Sequence, residues 1–224
     1  MKLPRLDSYK IDGLSSAPTP SKKVTFVDFV RAVSGDAALS VSVVVPDETQ
    51  VGDLLLVPFF KRDTITPPTG FSLIAEIRNV YTGLDQYTMM YYKIAEASDL
   101  GATLTFTCAT TQREGIGLMV FHSDTGFDIE GYATATGVTT PSISATVDKS
   151  VIAAVSSNVV TSGDTLFTMS GERILQTSPV LAGSTLRICC AFGKYNSGEA
   201  LSMTITNGST ATSVASVAVL IAPL

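Results

Sequence analysis

The sequence has no tryptophan, a single histidine and three cysteines in 224 residues, and only 16% of its residues are charged. Each shortage removes a class of function. With His122 as the sole imidazole, any histidine-based nucleophilic triad would have to be built around that one position. The cysteines have no C-x-x-C spacing, so they offer no zinc framework. Cys189 and Cys190 are adjacent, and neighbours on a strand point to opposite faces, so a bond between them would be strained. Cys108 sits in an alternating apolar stretch where a small buried thiol fits. Three thiols without disulfides are expected. Lys and Arg number 15 against 20 Asp and Glu, a net charge of −5, which gives no basic field for nucleic acid. The longest cationic group, Lys22-Lys23, reads as a solvated turn. No run reaches the ~18 apolar residues of a membrane-spanning helix. The start, Met1-Lys2-Leu3-Pro4-Arg5-Leu6-Asp7, lacks the apolar stretch of a signal peptide. The expectation is a protein made in the cytoplasm and kept there or in particles assembled there. No glycine-rich loop leads from a strand into a helix, so no nucleotide or other cofactor is expected.

What the chain does have is 45% hydrophobic residues set among Thr, Ser and Gly, a composition for strands and turns. A low-charge Ser/Thr surface also suits packing against protein neighbours, because few ions must be desolvated. Residues 1–22 read as an arm: Leu3, Leu6, Ile11 and Leu14 are scattered without period, then Ser15-Ser16-Ala17-Pro18-Thr19-Pro20-Ser21 forms a stiff linker. Residues 23–224 read as one domain. Val24 to Val33 is the first strand, and Leu39, Val41, Val43 and Val45 alternate with serines. Leu54 to Val57 is apolar on both faces and so a central strand, with Pro58 expected at its edge or exit. Thr64 to Gly70 reads as a loop, and Phe71, Leu73, Ala75 and Ile77 resume alternation. Asn79 to Gln86 reads as a loop or hairpin. Tyr87, Met89 and Tyr91 then share one face, with Met90, Tyr92 and Ile94 on the other. Ala102, Leu104, Phe106 and Cys108 alternate with threonines, and Ile116 to Phe121 is a second central strand. Further strands are expected at Ser142–Val147, Val151–Val155, Arg173–Leu175, Leu186–Phe192, Leu201–Ile205 and Val214–Ile221. About a dozen strands with turns such as Gly163-Asp164, Ser197-Gly198 and Asn207-Gly208 give an all-β, antiparallel β-sandwich, expected as a jelly roll with an extended N-terminal arm.

Five of these stretches carry a resemblance. They are Gly52-Asp53-Leu54-Leu55-Leu56, Pro67-Pro68-Thr69-Gly70-Phe71, Tyr92-Lys93-Ile94-Ala95, Leu104-Thr105-Phe106-Thr107 and Gly117-Leu118-Met119-Val120-Phe121. In this order, across residues 40–130, they resemble a β-sandwich module of bacteriophage virion proteins, in which an aromatic after the Pro-Pro-x-Gly turn plugs one end of the sandwich. The resemblance implies a non-enzymatic virion structural protein: a capsid decoration, spike, or fibre or tail component. It would dock on other virion proteins through the arm residues Leu3, Leu6, Ile11 and Leu14 and self-associate as a homo-oligomer such as a trimer. Its place would be the virion, after synthesis in the host cytoplasm.

Rival chemistry is confined to a few side chains. His122-Ser123-Asp124 has the right residue types for a nucleophilic triad, but neighbours on a strand do not converge, and no G-x-S-x-G elbow occurs. A structural or rim role is expected for His122. Asp124, Asp128 and Glu130 read as one acidic loop, with the last two on one face. They could serve glycoside hydrolysis or bind calcium, although the ligand pattern of an EF-hand is missing. No catalytic and no metal-binding residue is assigned. The alternative function is a carbohydrate-binding, receptor-recognition module of a tail fibre, taking a host glycan on Tyr81, Tyr87 and Tyr91.

Overall fold

A computed structural model describes residues 22–33, 38–61, 64–81, 84–109, 115–137, 139, 141–159, 167–170, 186–201, 204–207 and 213–224. Among the described residues fourteen strands run in chain order: β1 Thr25–Val33, β2 Ser40–Val44, β3 Leu54–Lys61, β4 Ile65–Thr66, β5 Ser72–Tyr81, β6 Leu84–Ile94 and β7 Thr103–Cys108. They continue with β8 Gly115–His122, β9 Phe127–Thr136, β10 Ser150–Val159, β11 Phe167–Ser170, β12 Leu186–Tyr195, β13 Thr204–Asn207 and β14 Ser213–Pro223. One 3-10 turn, Ala97–Asp99, follows β6. Every strand pairing is antiparallel. The antiparallel sandwich expected from the alternation is what the chain forms.

Three of the four sheets stack as layers, and the fourth is the two-stranded β11-β13. A five-stranded sheet, β1-β8-β3-β6-β5, lies between a three-stranded sheet, β2-β7-β4, and a four-stranded sheet, β12-β10-β14-β9. The central sheet buries both faces, which is why Leu54-Leu55-Leu56-Val57 is apolar at every position. Its even residues Leu54, Leu56 and Phe60 join Val151, Val155, Cys190, Phe192, Val217 and Val219 in one core. The odd residues of β3, Leu55, Val57 and Phe59, join Val41, Val43, Leu104, Phe106 and Cys108 in the other; the first is called here the inner core and the second the outer core. The alternations at Tyr87-Met89-Tyr91 and at Leu104-Phe106-Cys108 face this second core as expected. Cys189 and Cys190 face opposite ways, into separate clusters, and all three cysteines are buried thiols.

Several local readings need correction. Pro58 is not at an edge: it lies inside β3, paired with Met90 on one side. On the other side the ladder to β8 skips Val57 and Pro58, and the register sets Gly117 opposite the proline. Without a donor Pro58 cannot complete that ladder, and Gly117 makes room for its ring: a Cβ at 117 would stand 3.0 Å from Pro58 Cγ and 2.9 Å from Phe29 Cε2. In β5 the alternation breaks at a bulge between Leu73 and Ala75, so Leu73 is exposed while Ile74 and Ile77 pack against the inner core. Thr66 and Ile65 pair with β7 instead of looping. Asp128 and Glu130, read with Asp124 as one acidic loop, lie on strand β9. Ser142–Val147 forms only an isolated bridge, Ser144 to Ala200, and covers the outer face of β10 and β14 with Ala145 and Ile143. The expected strand at Arg173–Leu175 and the turns at 163–164 and 207–208 lie at least partly outside the described residues.

Candidate functional site

The described turns gather at one end of the layers, called here the proximal pole. The chain enters it at Lys22 and Val24, and β14 ends there at Pro223, paired with Phe127. Residues 1–21 lie outside the described residues, so Leu3, Leu6, Ile11 and Leu14 have no structural account. Three of the motif stretches, Gly52-Asp53, Gly70-Phe71 and Lys93-Ile94-Ala95, meet at this pole. Gly52, at φ 94°, donates its N–H to the Ala95 carbonyl at 2.9 Å, and Ala95 returns a bond to the Asp53 carbonyl at 2.7 Å. Gly70, at φ 91°, lies under the stem of Lys93, where a Cβ would meet Cε at 2.9 Å. Lys93 Nζ then donates to Asp99 Oδ1 at 2.8 Å and lies 3.4 Å from Glu96 Oε2. The bond to Asp99 raises the Lys93 pKa, burial opposing it. Phe71 meets Phe106 edge-on at 5.6 Å and closes the outer core at this end.

His122 stands in the same region, at the end of β8 and beside the start of β3. Its Nδ1 bonds Asp53 Oδ1 at 2.7 Å and its Nε2 bonds Asp124 Oδ1 at 3.2 Å. Asp53 is buried and its other oxygen accepts the Gln50 N–H at 2.8 Å. The bond to Asp53 raises the His122 pKa most, the bond to Asp124 adds to it, and desolvation works against both. Protonated, the ring donates at both nitrogens and has no lone pair left to act as a base. Ser123 turns away: its Oγ accepts the Thr125 N–H at 3.3 Å and also contacts the Thr125 hydroxyl. The partner that sequence reasoning missed is Asp53, 69 residues away. Pairing the two apolar runs as neighbouring central strands, Leu54 beside Phe121, would have found it.

The other candidates do not assemble. Asp128 and Glu130 lie exposed on β9, which pairs only with β14. Among the described residues no group of three or more His, Cys, Asp or Glu is placed to hold a metal ion. Tyr91 is in the outer core, 6.0 Å from the Phe106 ring, with its hydroxyl 3.6 Å from Met89 Sδ. Burial pushes its phenol pKa up. Tyr87 packs partly against the same core, and the Tyr81 side chain is outside the described residues. Of these tyrosines Tyr91 is the one whose ring is buried in the core.

Two surfaces remain. The outer face of the three-stranded sheet is exposed and uncharged, formed by Ser40, Ser42, Val44, Thr66, Thr103, Thr105 and Thr107, with Ser42 and Thr105 hydroxyls bonded at 2.8 Å. At the proximal pole a shallow depression of about 260 Å³ is lined by Lys23, Val24, Lys149, Lys194, Tyr195 and Asn196. A second, of about 330 Å³, shares Lys149 and adds Lys22, Val147, Asp148 and Pro223. Comparison with protein-family models, with curated proteins and with solved structures finds no match.

Proposed function

We propose that this chain is a non-enzymatic structural protein of a bacteriophage particle, a capsid decoration, spike, or fibre or tail component. It docks on other virion proteins through residues 1–22 and self-associates through its sheet surface. The observation that supports assembly is the exposed face of β2, β7 and β4, which carries seven side chains and no charge. Joining such a face to a neighbour desolvates hydroxyls, which can re-pair across the contact, and no ions, whose desolvation is far more costly. The phage context comes from the ordered motifs of residues 46–127.

The arm supplies the attachment. Each leucine docked on a neighbour would contribute roughly 1.5–3 kcal/mol, enough for several to offset the ordering of an extended segment. Deleting residues 1–22 should leave a cooperatively melting β-domain that no longer co-sediments with particles. Normal attachment by the truncated protein would move the docking surface onto the sandwich. For self-association, Thr105→Glu should convert an oligomer into monomers in sedimentation velocity. A wild-type chain that is monomeric at assembly concentrations would sink that half of the reading. The alternative is a carbohydrate-binding, receptor-recognition module of a tail fibre taking a host glycan on Tyr81, Tyr87 and Tyr91, of which Tyr91 is buried; a glycan array separates it from the first reading.

A further inference from the structure

We propose that the turns 46–53 and 94–102 at the proximal pole make a second contact with the virion protein that takes the arm, and that this protein presents there an apolar surface with a cationic rim. The inference rests on the arm being the attachment, and it names the part of the folded domain that completes the grip.

The first observation is exposure. Val44 is 55% exposed, Val51 62%, Ile94 42% and Leu100 43%, and all four stand where the two turns are laced together. Gly52, beside Val51, donates its N–H to the carbonyl of Ala95, beside Ile94, at 2.9 Å. Val45, beside Val44, donates to the Ala102 carbonyl at 2.9 Å, and Ala102 donates to Asp99 at 3.0 Å, which folds the chain around Leu100. Asp47 faces that fold, since a Cβ at Gly101 would lie 4.0 Å from its Oδ1. The backbone bonds place these side chains before any neighbour arrives, so little ordering remains to be done on contact. One exposed apolar side chain is ordinary, whereas a group of them on linked turns marks a contact.

The second observation is charge. The two turns contain Asp47, Glu48, Asp53, Glu96 and Asp99, and no lysine or arginine. Asp53 and Asp99 are buried and bonded to His122 and Lys93. Asp47, Glu48 and Glu96 are exposed beside the apolar group, and of these Glu96 shares Lys93 with Asp99. A neighbour that covers the apolar group meets these carboxylates at its edge, where lysine or arginine turns a desolvation cost into attraction. An anionic membrane surface would be repelled. Two copies joined turn to turn about a two-fold axis would set acid against acid.

Reach names the occupant. The described chain begins at Lys22, which lines a hollow with Pro223 at this same pole. Whatever its path, the chain from Leu14 to Lys22 spans at most about 28 Å. A ten-residue strand such as β5 is about 34 Å long, so the tether falls short of the far end of the sheets. It holds a neighbour gripping Leu14 near the proximal turns. Four side chains cover much less than the roughly 1,000 Å² of a stable interface, but a tethered neighbour meets them as an effectively intramolecular contact. Removing the arm therefore abolishes attachment although the pole remains.

The experiment measures co-sedimentation of the full chain with particles that lack it. Val51→Glu combined with Leu100→Glu should weaken attachment at least about tenfold with an unchanged melting temperature. Val51→Ser with Leu100→Ser, which adds no charge, should weaken it less. Glu48→Lys should weaken it too, and raised salt should weaken wild type more than Glu48→Lys. Leu39→Glu, an exposed site at the far end of β2, should change nothing. Unchanged attachment by both double variants overturns the proposal, as does an equal loss from Leu39→Glu. Loss of self-association with attachment intact would assign the turns to a second copy and overturn it as well. The two readings fail separately. Attachment that survives deletion of residues 1–22 but not Val51→Glu with Leu100→Glu removes the arm and keeps the pole, and the reverse pattern removes the pole and keeps the arm.

Discussion

His122, for which the sequence suggests a structural or rim role, links two carboxylates that lie 71 positions apart in the chain. It joins the end of β8 to the buried Asp53 ahead of β3, and its second nitrogen reaches back to Asp124. The effect on stability follows from linkage. The folded-state pKa of His122 lies above its ordinary value of 6.5, so the folded chain holds the proton more tightly than the unfolded one. The contribution is fully present below about pH 6.5 and is lost as pH rises through the folded value. Urea midpoints of wild type and His122→Asn should therefore differ most below about pH 6.5 and draw together as the pH is raised. A gap that widened with pH would show the imidazole to be held neutral. Because His122 is 38% exposed, solvent and salt screen the pair, and the gap should shrink in high salt.

At the scale of elements, β3 is a central strand that tolerates a proline because its neighbour is cut to fit. Pro58 and the Phe29 ring both occupy the space above Gly117. Gly117→Val should lower stability by about 1–3 kcal/mol, the range for overpacking a closed core, read as a shift in the urea midpoint with an unchanged slope. An unaffected midpoint would mean that β1 or β3 yields there at little cost. Most strands were legible because one face of each is apolar: β2, β3, β6, β7, β8, β10, β12 and β14 all fall where alternation or an unbroken apolar run predicts them. Strand β9 was not. Its charged and small residues, from Asp128 and Glu130 to Ala133 and Ala135, give little hydrophobic contrast, and only pairing with β14 makes it a strand. Residues 142–147 err the other way, since their alternation reflects a segment lying on a sheet rather than within one.

For the whole molecule, the central sheet is common to two cores, so the layers cannot come apart without exposing apolar surface on both faces of β3, β6 and β8. Phe106→Ala in the outer core and Phe192→Ala in the inner core should each cost about 3–5 kcal/mol. Each should lower one shared transition, seen by calorimetry and by circular dichroism at the same temperature. A variant that splits the melt into one moved and one unmoved step would make the layers separate folding units.

The sequence by itself determined an all-β chain, because period-two alternation commits each strand to a face before any partner is chosen. It also determined the central character of β3 and β8, since residues apolar on both sides must be covered on both sides. Only the tertiary structure decided that there are three layers, that Pro58 belongs inside a sheet, and that Tyr91 is a core residue. The encounters of His122 with Asp53 and of Lys149 with Lys23 and Lys194 were decided there as well. The physical reason is range. Alternation is written in residues two apart, whereas sheet order, cross-strand partners and hollows depend on residues tens of positions apart, which pairing alone brings together.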